Sequence, residues 1–293
     1  MKKKTNLNFI NCLLFFMISS FVSSQEIDKK KDTIIKKDTI SLAKEHKLTF
    51  TVDLVNRYIW RGQSWGGNYA VVQPTIEYSP SEKWTFGAWG TTNFKKDYFY
   101  PDNETSYKGY HEIDLYMSKK ITKFLRLELW DYYWPSVTKV DGVSNKLLNF
   151  SPNSVNTVAT DFKFDFSDYS FPLEATLSTF IAGNDYKYDE NGENPKQNYT
   201  TYLEVNYTLK TYKEIELTPC IGAVFNNQAQ YYTAGDYNKI SFINISLKAL
   251  KTIDLKNSFE MPITLNYIHN AASKNTEIFG RNFLLFGISF KRN

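Results

Sequence analysis

Charged side chains recur at every second position along several stretches of the chain, where they could act on an ion or a polar solute. The carboxylates that share the polar phase are Asp53, Glu77, Glu112, Asp114, Glu128, Asp161, Asp165, Glu174, Glu204, Glu216 and Glu260. The bases in that phase are Arg57, Arg61, Arg126, Lys163 and Lys248. Rings of carboxylates around a narrow pore favour cations. If these side chains line one lumen, we therefore expect a modest preference for cations.

The residue pattern gives little support for catalysis, cofactor binding or metal binding. A catalytic nucleophile needs a base and an orienting group, and the chain has three histidines, His46, His111 and His269. No two of them have the spacing of a metal-binding pair. Removal of the segment that holds Cys12 would leave Cys220 without a disulfide partner. We expect no enzyme, no cofactor and no metal site, and keep an enzyme as the weaker alternative.

The overall composition fits elements that are apolar on one face only. Of the 293 residues, 17% are aromatic, yet the mean hydropathy is −0.44. A transmembrane β-barrel reconciles these values, because every second residue faces lipid and the others face water. Omitting the lysines at positions 2–4, in a segment expected to be removed, leaves 32 of the 35 basic residues against 31 acidic residues. This balance gives no support for nucleic-acid binding.

The N-terminal segment has the layout of a secretory signal. Three lysines precede an apolar run, and the small residues Ser23 and Ser24 follow it. The run is too short for a comfortable membrane helix, and no other run of about 18 apolar residues occurs. Residues after it are polar and rich in lysine, which is typical of a flexible segment. The predicted divisions are a signal peptide over 1–24, a flexible periplasmic tail over 25–46 and a barrel over 47–293.

From Leu48 onward the dominant sequence period is two, the period of a half-buried strand. Leu125, Leu127 and Leu129, for example, alternate with side chains of the opposite face. Most segments approach the roughly 9–11 residues that a tilted strand needs to cross a bilayer. Twelve such segments are predicted: 48–61, 71–79, 83–94, 109–119, 122–132, 157–167, 171–183, 199–210, 213–225, 239–250, 257–268 and 281–291.

The connections between these segments alternate in length. Those after even-numbered segments are short, such as Lys120–Ile121 and Lys251–Lys256, whereas the others are longer and mostly polar, such as Tyr133–Asn156. This asymmetry is typical of outer-membrane barrels, with short periplasmic turns and longer outer loops. A soluble β-sandwich would also alternate, but its apolar face is interior and usually aliphatic. The predicted fold is therefore all-β, a transmembrane antiparallel up-and-down β-barrel of about twelve strands in the outer membrane.

Aromatic residues gather near the ends of the predicted strands. Such positions are typical of the aromatic girdles at the two membrane interfaces. The candidate girdle residues are Tyr58, Trp60, Tyr78, Trp84, Tyr132, Tyr133, Trp134, Tyr169 and Phe171.

The first predicted hairpin, Val52–Phe94, resembles the N-terminal hairpin of the TorF-like porin family. The shared pattern has an aromatic residue, a hydrophobic or aromatic residue, Arg and Gly, followed by Ala-x-x-Gln-x-x-x-x-Tyr. The matching residues are Tyr58, Trp60, Arg61, Gly62, Ala70, Gln73 and Tyr78, with Gly87, Trp89, Asp114, Leu115 and Tyr116 further along. The resemblance implies an outer-membrane channel and says almost nothing about its solute. The last strand, ending near Phe290, also resembles the segment that the barrel-assembly machinery recognises, although three polar residues follow it.

These patterns favour a channel for passive passage of small solutes, with outer-membrane lipid and the assembly machinery as further partners. Two alternatives stay open. Acids and bases could pair across the lumen and plug it, because eight-stranded barrels are filled by side chains and twelve strands give a lumen only somewhat wider. The barrel could also act as a receptor or adhesin through its outer loops. Aromatic side chains such as Trp130 and Tyr202 could stack on sugars or serve only in packing.

Overall fold

The computed structural model describes residues 46–94, 98–99, 106–107, 110–135, 142–211, 213–229, 232, 240–256, 259–272, 276 and 280–292. The predicted signal peptide and nearly all of the predicted tail lie outside the described residues. Among the described residues, no helix is both long enough and apolar enough to cross a membrane.

Twelve antiparallel strands form the body of the protein. They are β1 (Lys47–Val55), β2 (Val71–Ser81), β3 (Trp84–Thr92), β4 (His111–Lys120), β5 (Leu125–Tyr133), β6 (Asn156–Asp165), β7 (Leu173–Gly183), β8 (Thr201–Tyr207), β9 (Glu216–Val224), β10 (Ser241–Lys256), β11 (Phe259–His269) and β12 (Asn282–Arg292). A two-residue strand, Leu209–Lys210, extends β8 along β9.

Each strand pairs with its neighbour in sequence, and the first strand closes the sheet on the last. In that closing pair, Phe50 lies opposite Arg292 and Val55 lies opposite Gly287. Closure leaves no exposed sheet edge, so the backbone N–H and C=O groups of the strands are satisfied between strands, as a lipid environment requires. The predicted all-β, up-and-down barrel with twelve strands is confirmed.

The alternation of side chains gives the barrel an apolar exterior and a polar interior. On β1, Leu48, Phe50 and Leu54 are 45–48% exposed, whereas the intervening Thr49 is 7% exposed. The same alternation on the other strands brings large apolar side chains to the outer surface. An apolar belt around a closed barrel is the surface that hydrocarbon chains solvate. The protein is an outer-membrane β-barrel.

The first predicted strand is wrong in its second half. Strand β1 ends at Val55 rather than continuing to position 61, and a small hairpin follows in which Tyr58–Trp60 pairs with Gln63–Trp65. Arg61 and Gly62 sit at its tip with φ angles of 47° and 81°. A left-handed backbone at two successive residues is incompatible with a strand, so the chain turns back at this point.

Two further details of the predicted strands are corrected. Residues Lys251–Lys256 are part of β10 rather than a turn. Ile243 shares a sequence phase with the outward Ile245, but it is fully buried. The reason is a β-bulge, in which Gly222 pairs with Asn244 and Ala223 pairs with Phe242, so that Ile243 is the extra residue. A bulge shifts the side-chain phase by one position.

Candidate functional site in the barrel lumen

The hairpin after β1, residues 57–69, is called the lumen finger here because its tip reaches the opposite wall. A Cβ atom on Gly62 would lie 1.7 Å from the carbonyl oxygen of Ile243 on β10. Only glycine therefore allows this approach, and it also accepts the left-handed φ angle. The Asn270 side-chain amide, which follows β11, donates a hydrogen bond to the Gly62 carbonyl at 3.1 Å. These two contacts hold the finger tip against β10 and the residue that follows β11.

A core of aromatic side chains surrounds the finger. Trp60 stacks on Tyr232 with ring centroids 5.2 Å apart, and Tyr232 stacks on Tyr202 at 5.4 Å. Tyr132 on β5 and Phe180 on β7 make an edge-to-face pair at 6.2 Å across β6. These rings belong to a buried cluster with members from β5 to β10, which is half of the barrel wall. The finger and this cluster together constrict the lumen.

Arg61 occupies the centre of the constriction. Its guanidinium lies 4.7 Å from the Trp60 ring centroid and 4.6 Å from that of Tyr202. It donates a hydrogen bond to the Tyr232 hydroxyl and forms an ion pair with Asp161 at 3.5 Å. Cation–π contacts are strongest where the cation is removed from water, and the Arg61 and Asp161 side chains are 11% and 4% exposed. One residue therefore ties the finger to the wall electrostatically.

A second charged group lies beside this one on β5 and β6. Lys163 forms an ion pair with Glu128 at 2.8 Å and lies 5.7 Å from the Trp130 ring centroid. The Trp130 indole N–H donates to the same carboxylate at 2.8 Å. Trp130 in turn stacks on Tyr116 at 4.1 Å. Aromatic and charged side chains thus alternate around the lumen wall.

A cavity of about 430 Å³ opens against the finger tip. This volume is within the range of small-molecule sites, roughly 300–1,000 Å³. Its ionisable lining residues are Arg61, Asp114, Asp161, Lys163 and Glu204. Its aromatic lining residues are Tyr58, Trp60, Trp89, Trp130, Tyr132 and Tyr202. Its neutral polar lining residues include Thr176, Asn244 and Asn266.

Thirteen of the sixteen charged residues of the polar phase are the candidate lumen-lining residues, all except Asp165, Glu174 and Glu260. The structure brings together five of the thirteen, namely Arg61, Asp114, Asp161, Lys163 and Glu204. Glu112 and Glu128 are buried inside the same barrel. The remaining six line no part of this cavity: Asp53, Arg57, Glu77, Arg126, Glu216 and Lys248.

Some of these six make local contacts instead. Glu77 accepts a hydrogen bond from the Tyr116 hydroxyl at 2.7 Å, and Arg126 donates to Ser118 at 2.9 Å. Glu216 pairs with the exposed Lys210 at 3.7 Å. Arg57 lies at the base of the finger, where it donates to Asn68 and covers the Phe283 ring at 5.6 Å.

Three predicted girdle residues lie inside the barrel. Tyr58 and Tyr132 are each 7% exposed, and Trp60 packs against the buried cluster. Tyr78, Tyr169 and Phe171 are 43–57% exposed on the outside. The inward placement of Tyr58 and Trp60 follows from the turn of the finger. Tyr232 was not singled out from the sequence, because it lies in a connection without strand periodicity.

Residues 62–66 match the Gly-x-Ser-x-Gly pattern of hydrolase nucleophile elbows. That elbow needs a strand-to-helix turn and a base within reach of the serine. Ser64 lies instead on the short hairpin, where its hydroxyl donates to the Gly67 carbonyl at 3.3 Å. No histidine among the described residues bonds to it, so the match gives no support for a nucleophile. In the described part of the chain, no cluster of three or more His, Cys, Asp or Glu side chains could hold a metal ion.

The connections after β7 and β9 are tied together by buried amides and one carboxylate. Asp185 accepts hydrogen bonds from the Thr200 backbone N–H at 2.9 Å and from the Gln197 amide at 3.2 Å. Burial raises the pKa of the Asp185 carboxyl, and the bonds from Thr200 and Gln197 oppose that shift. Asn198 donates to the Asn227 carbonyl at 2.9 Å and so joins the two connections.

The chain is similar to solved outer-membrane barrels. The NanC porin structure has 8% identity and a TM-score of 0.48, covering 83% of this chain and 99% of that chain. LpxR from Salmonella typhimurium has 8% identity and a TM-score of 0.42, with coverage of 83% and 99%. The CymD monoaromatic hydrocarbon channel has 12% identity and a TM-score of 0.38, with coverage of 85% and 88%. No family model and no curated protein matches the chain, and no functional statement follows from these similarities.

Proposed function

We propose that the protein is a gated outer-membrane channel that passes small solutes passively, with a modest preference for cations. The observation that carries this proposal is the nature of the constriction. The lumen is narrowed by one short hairpin, residues 57–69, held at its tip by Arg61 and Gly62. A few side-chain contacts hold it, and such a segment can leave and return without unfolding the barrel wall.

The charge of the lumen supports the cation preference. Asp114, Asp161 and Glu204 line the cavity together with Arg61 and Lys163. Lys163 is already neutralised by Glu128, which lies at 2.8 Å. With all of these groups ionised, the remaining formal charge is negative, and carboxylates in a low-dielectric wall raise the local concentration of cations. The first hairpin, which includes the finger tip, resembles the TorF-like porins, and this resemblance supports a channel.

A permanently plugged barrel that acts through its outer loops is the second candidate. The buried aromatic cluster favours it, since Tyr202, Tyr232 and Ile243 are each at most 1% exposed. A plug with such buried side chains would resist displacement from the lumen as strongly as a packed protein core. The two candidates differ in the conductance of the wild-type protein, because a gated channel opens while its finger is present and a permanently plugged barrel does not.

Conductance in planar bilayers tests the proposal. The variant replaces Arg57–Asn68 by a four-residue Gly-Ser turn, and the control replaces the exposed residues 189–195 by the same turn. Wild-type protein should show small or brief openings, the finger variant large and stable ones, and the control should behave as wild type. Heat-modifiable gel migration verifies that each barrel is folded. A wild type that never opens overturns the channel and favours the plugged barrel, even if the finger variant conducts. A folded finger variant without conductance also overturns the channel.

Reversal potentials under a salt gradient test the selectivity, and a clear anion preference would contradict it. The proposal includes no catalytic activity. Lipase and protease assays on the refolded barrel test that part separately. Solute flux would be passive in this proposal, so it should follow the concentration gradient in either direction.

A further inference from the structure

Three buried acceptor oxygens on residues that line the lumen cavity have no hydrogen-bond partner among the described residues. They are Oδ1 of Asp161, Oδ1 of Asn244 and Oδ1 of Asn266. All three residues line the cavity. Asp161 and Asn244 are more than nine-tenths buried. Buried acceptors left without a donor are costly, about 1–3 kcal/mol each, and their side chains here border an open volume. They indicate a ligand that supplies N–H or O–H groups.

The charges of the cavity restrict the kind of donor. Asp114 is 3% exposed, and among the described residues no basic side chain forms an ion pair with it or with Glu204. The three carboxylates of the lining face two cations, of which Lys163 is shared with Glu128. A cationic ligand would therefore reduce an existing imbalance of charge.

The free hydrogen-bonding atoms point the same way. The Asn244 amide N–H group already donates to Glu204 at 2.9 Å, and Arg61 is engaged by Asp161 and Tyr232. A polyol brings acceptor lone pairs as well as donors, and these would compete for donors already in use. Ammonium and guanidinium groups are donors only. Ammonium and guanidinium groups therefore match three oxygens that can only accept hydrogen bonds and that have no donor.

The aromatic walls already accommodate a cation of this type. Arg61 places its guanidinium within 5 Å of two ring centroids in the same cavity. Trp130 and Tyr132 also line it. Their rings lie nearly parallel to each other with centroids 5.9 Å apart, and the faces of such aromatic walls attract organic cations within about 6 Å. The Arg61 guanidinium is therefore an example, within the chain itself, of an organic cation bound by the rings of this cavity.

We propose that the lumen cavity binds a small organic cation bearing an ammonium or guanidinium group, held by Asp114, Asp161, Asn244 and Asn266. The idea that this cation is the transported solute rests on the proposed channel. The idea that the cavity binds the cation depends only on the cavity.

Calorimetric titration of the refolded full-length barrel in detergent, at low ionic strength, tests this. The probe is agmatine, with a guanidinium and an ammonium group and no carboxylate. Xylitol is the neutral probe and succinate the anionic one. Agmatine should bind saturably, and xylitol and succinate should not. Equal binding of xylitol, or absence of agmatine binding, overturns the proposal.

Substitutions in the cavity locate the binding. Asp114→Asn and Asp161→Asn should each weaken agmatine binding at least tenfold. Glu174→Gln, on the same inward phase but exposed near the strand end, removes the same charge and should change it less than twofold. If Asp161→Asn fails to fold, Asp114→Asn decides the result. Equal affinity of Asp114→Asn and wild type overturns the assignment.

The two proposals fail in different ways. Conductance without agmatine binding overturns the cation site and leaves the channel standing. Agmatine binding by the wild-type protein, together with a folded finger variant that does not conduct, supports the cation site and refutes the channel. If both hold, agmatine should also reduce the single-channel current of wild type from either side, and less so in Asp114→Asn.

Discussion

Replacement of Arg61 by methionine removes the charge that holds the lumen finger to the wall, while keeping an unbranched apolar stem of similar length. The substitution leaves Asp161 buried and unpaired, since the Arg61 guanidinium is its only ion-pair partner among the described residues. It also removes the contacts of the guanidinium with the Trp60 and Tyr202 rings. The finger should then be anchored mainly by Gly62 and its bond from Asn270.

The size of the effect follows from the geometry. At 3.5 Å and an effective dielectric constant of about 20, the Coulomb attraction of the pair is about 5 kcal/mol. Desolvation of both ions offsets a large part of it, while an orphaned buried partner typically costs about 3–5 kcal/mol. We expect Arg61→Met to lower the free energy of unfolding by about 4 kcal/mol. Arg61→Met combined with Asp161→Asn should cost clearly less than the two single substitutions together, with a coupling energy of about 2 kcal/mol.

Reversible urea unfolding in lipid vesicles, followed by tryptophan fluorescence, gives the four free energies of this cycle. If the proposed gated channel is correct, the same variants in planar bilayers give its open fraction of time, which Arg61→Met should raise. A coupling energy below about 0.5 kcal/mol would show that Arg61 and Asp161 act independently. Unchanged opening in a folded Arg61→Met barrel would show that the ion pair does not hold the gate.

Three further results are expected. Gly62→Val should displace the finger, because its Cβ would overlap the Ile243 carbonyl, and should raise conductance with little loss of folded protein on gels. The connection held by Asp185 should loosen as pH rises through the raised pKa of its carboxyl, because the folded state favours the protonated form; proteolysis rates against pH measure this, and Asp185→Asn should abolish the dependence. Leu265→Arg, on the lipid face, should cost about 2–4 kcal/mol near mid-membrane, whereas the neighbouring Thr264→Arg on the inner face should cost under 1 kcal/mol by urea unfolding.

The barrel was predictable because its strands obey one local rule. Residues such as Leu125, Leu127 and Leu129 alternate with inward side chains, and the period of two needs no information from distant parts of the chain. The pairing order then follows from short connections, which force neighbouring strands to be antiparallel. Local pattern therefore determined the strand number and the closure of the sheet.

The constriction could not be predicted in the same way. Tyr58 and Trp60 continue the apolar phase of β1, and only the Arg61-Gly62 pair signals a reversal there. The partners of the finger, Asp161 and Tyr232, are 100 and 171 residues away from Arg61, and such contacts leave no periodic trace. The inward placement of Ile243 likewise depends on a bulge, which shifts phase without a distinct residue signature.

The position of the finger near the start of the barrel has a consequence for biogenesis. Its seat is built from β6, β8 and β10 and from Asn270 after β11, all of which are synthesised much later than the finger itself. The finger therefore cannot make all of these contacts until the last strands have joined β1. Before that point the aromatic side chains of the finger stay exposed and the lumen is not constricted. Packing of Trp60 against Tyr232 thus marks a completed barrel.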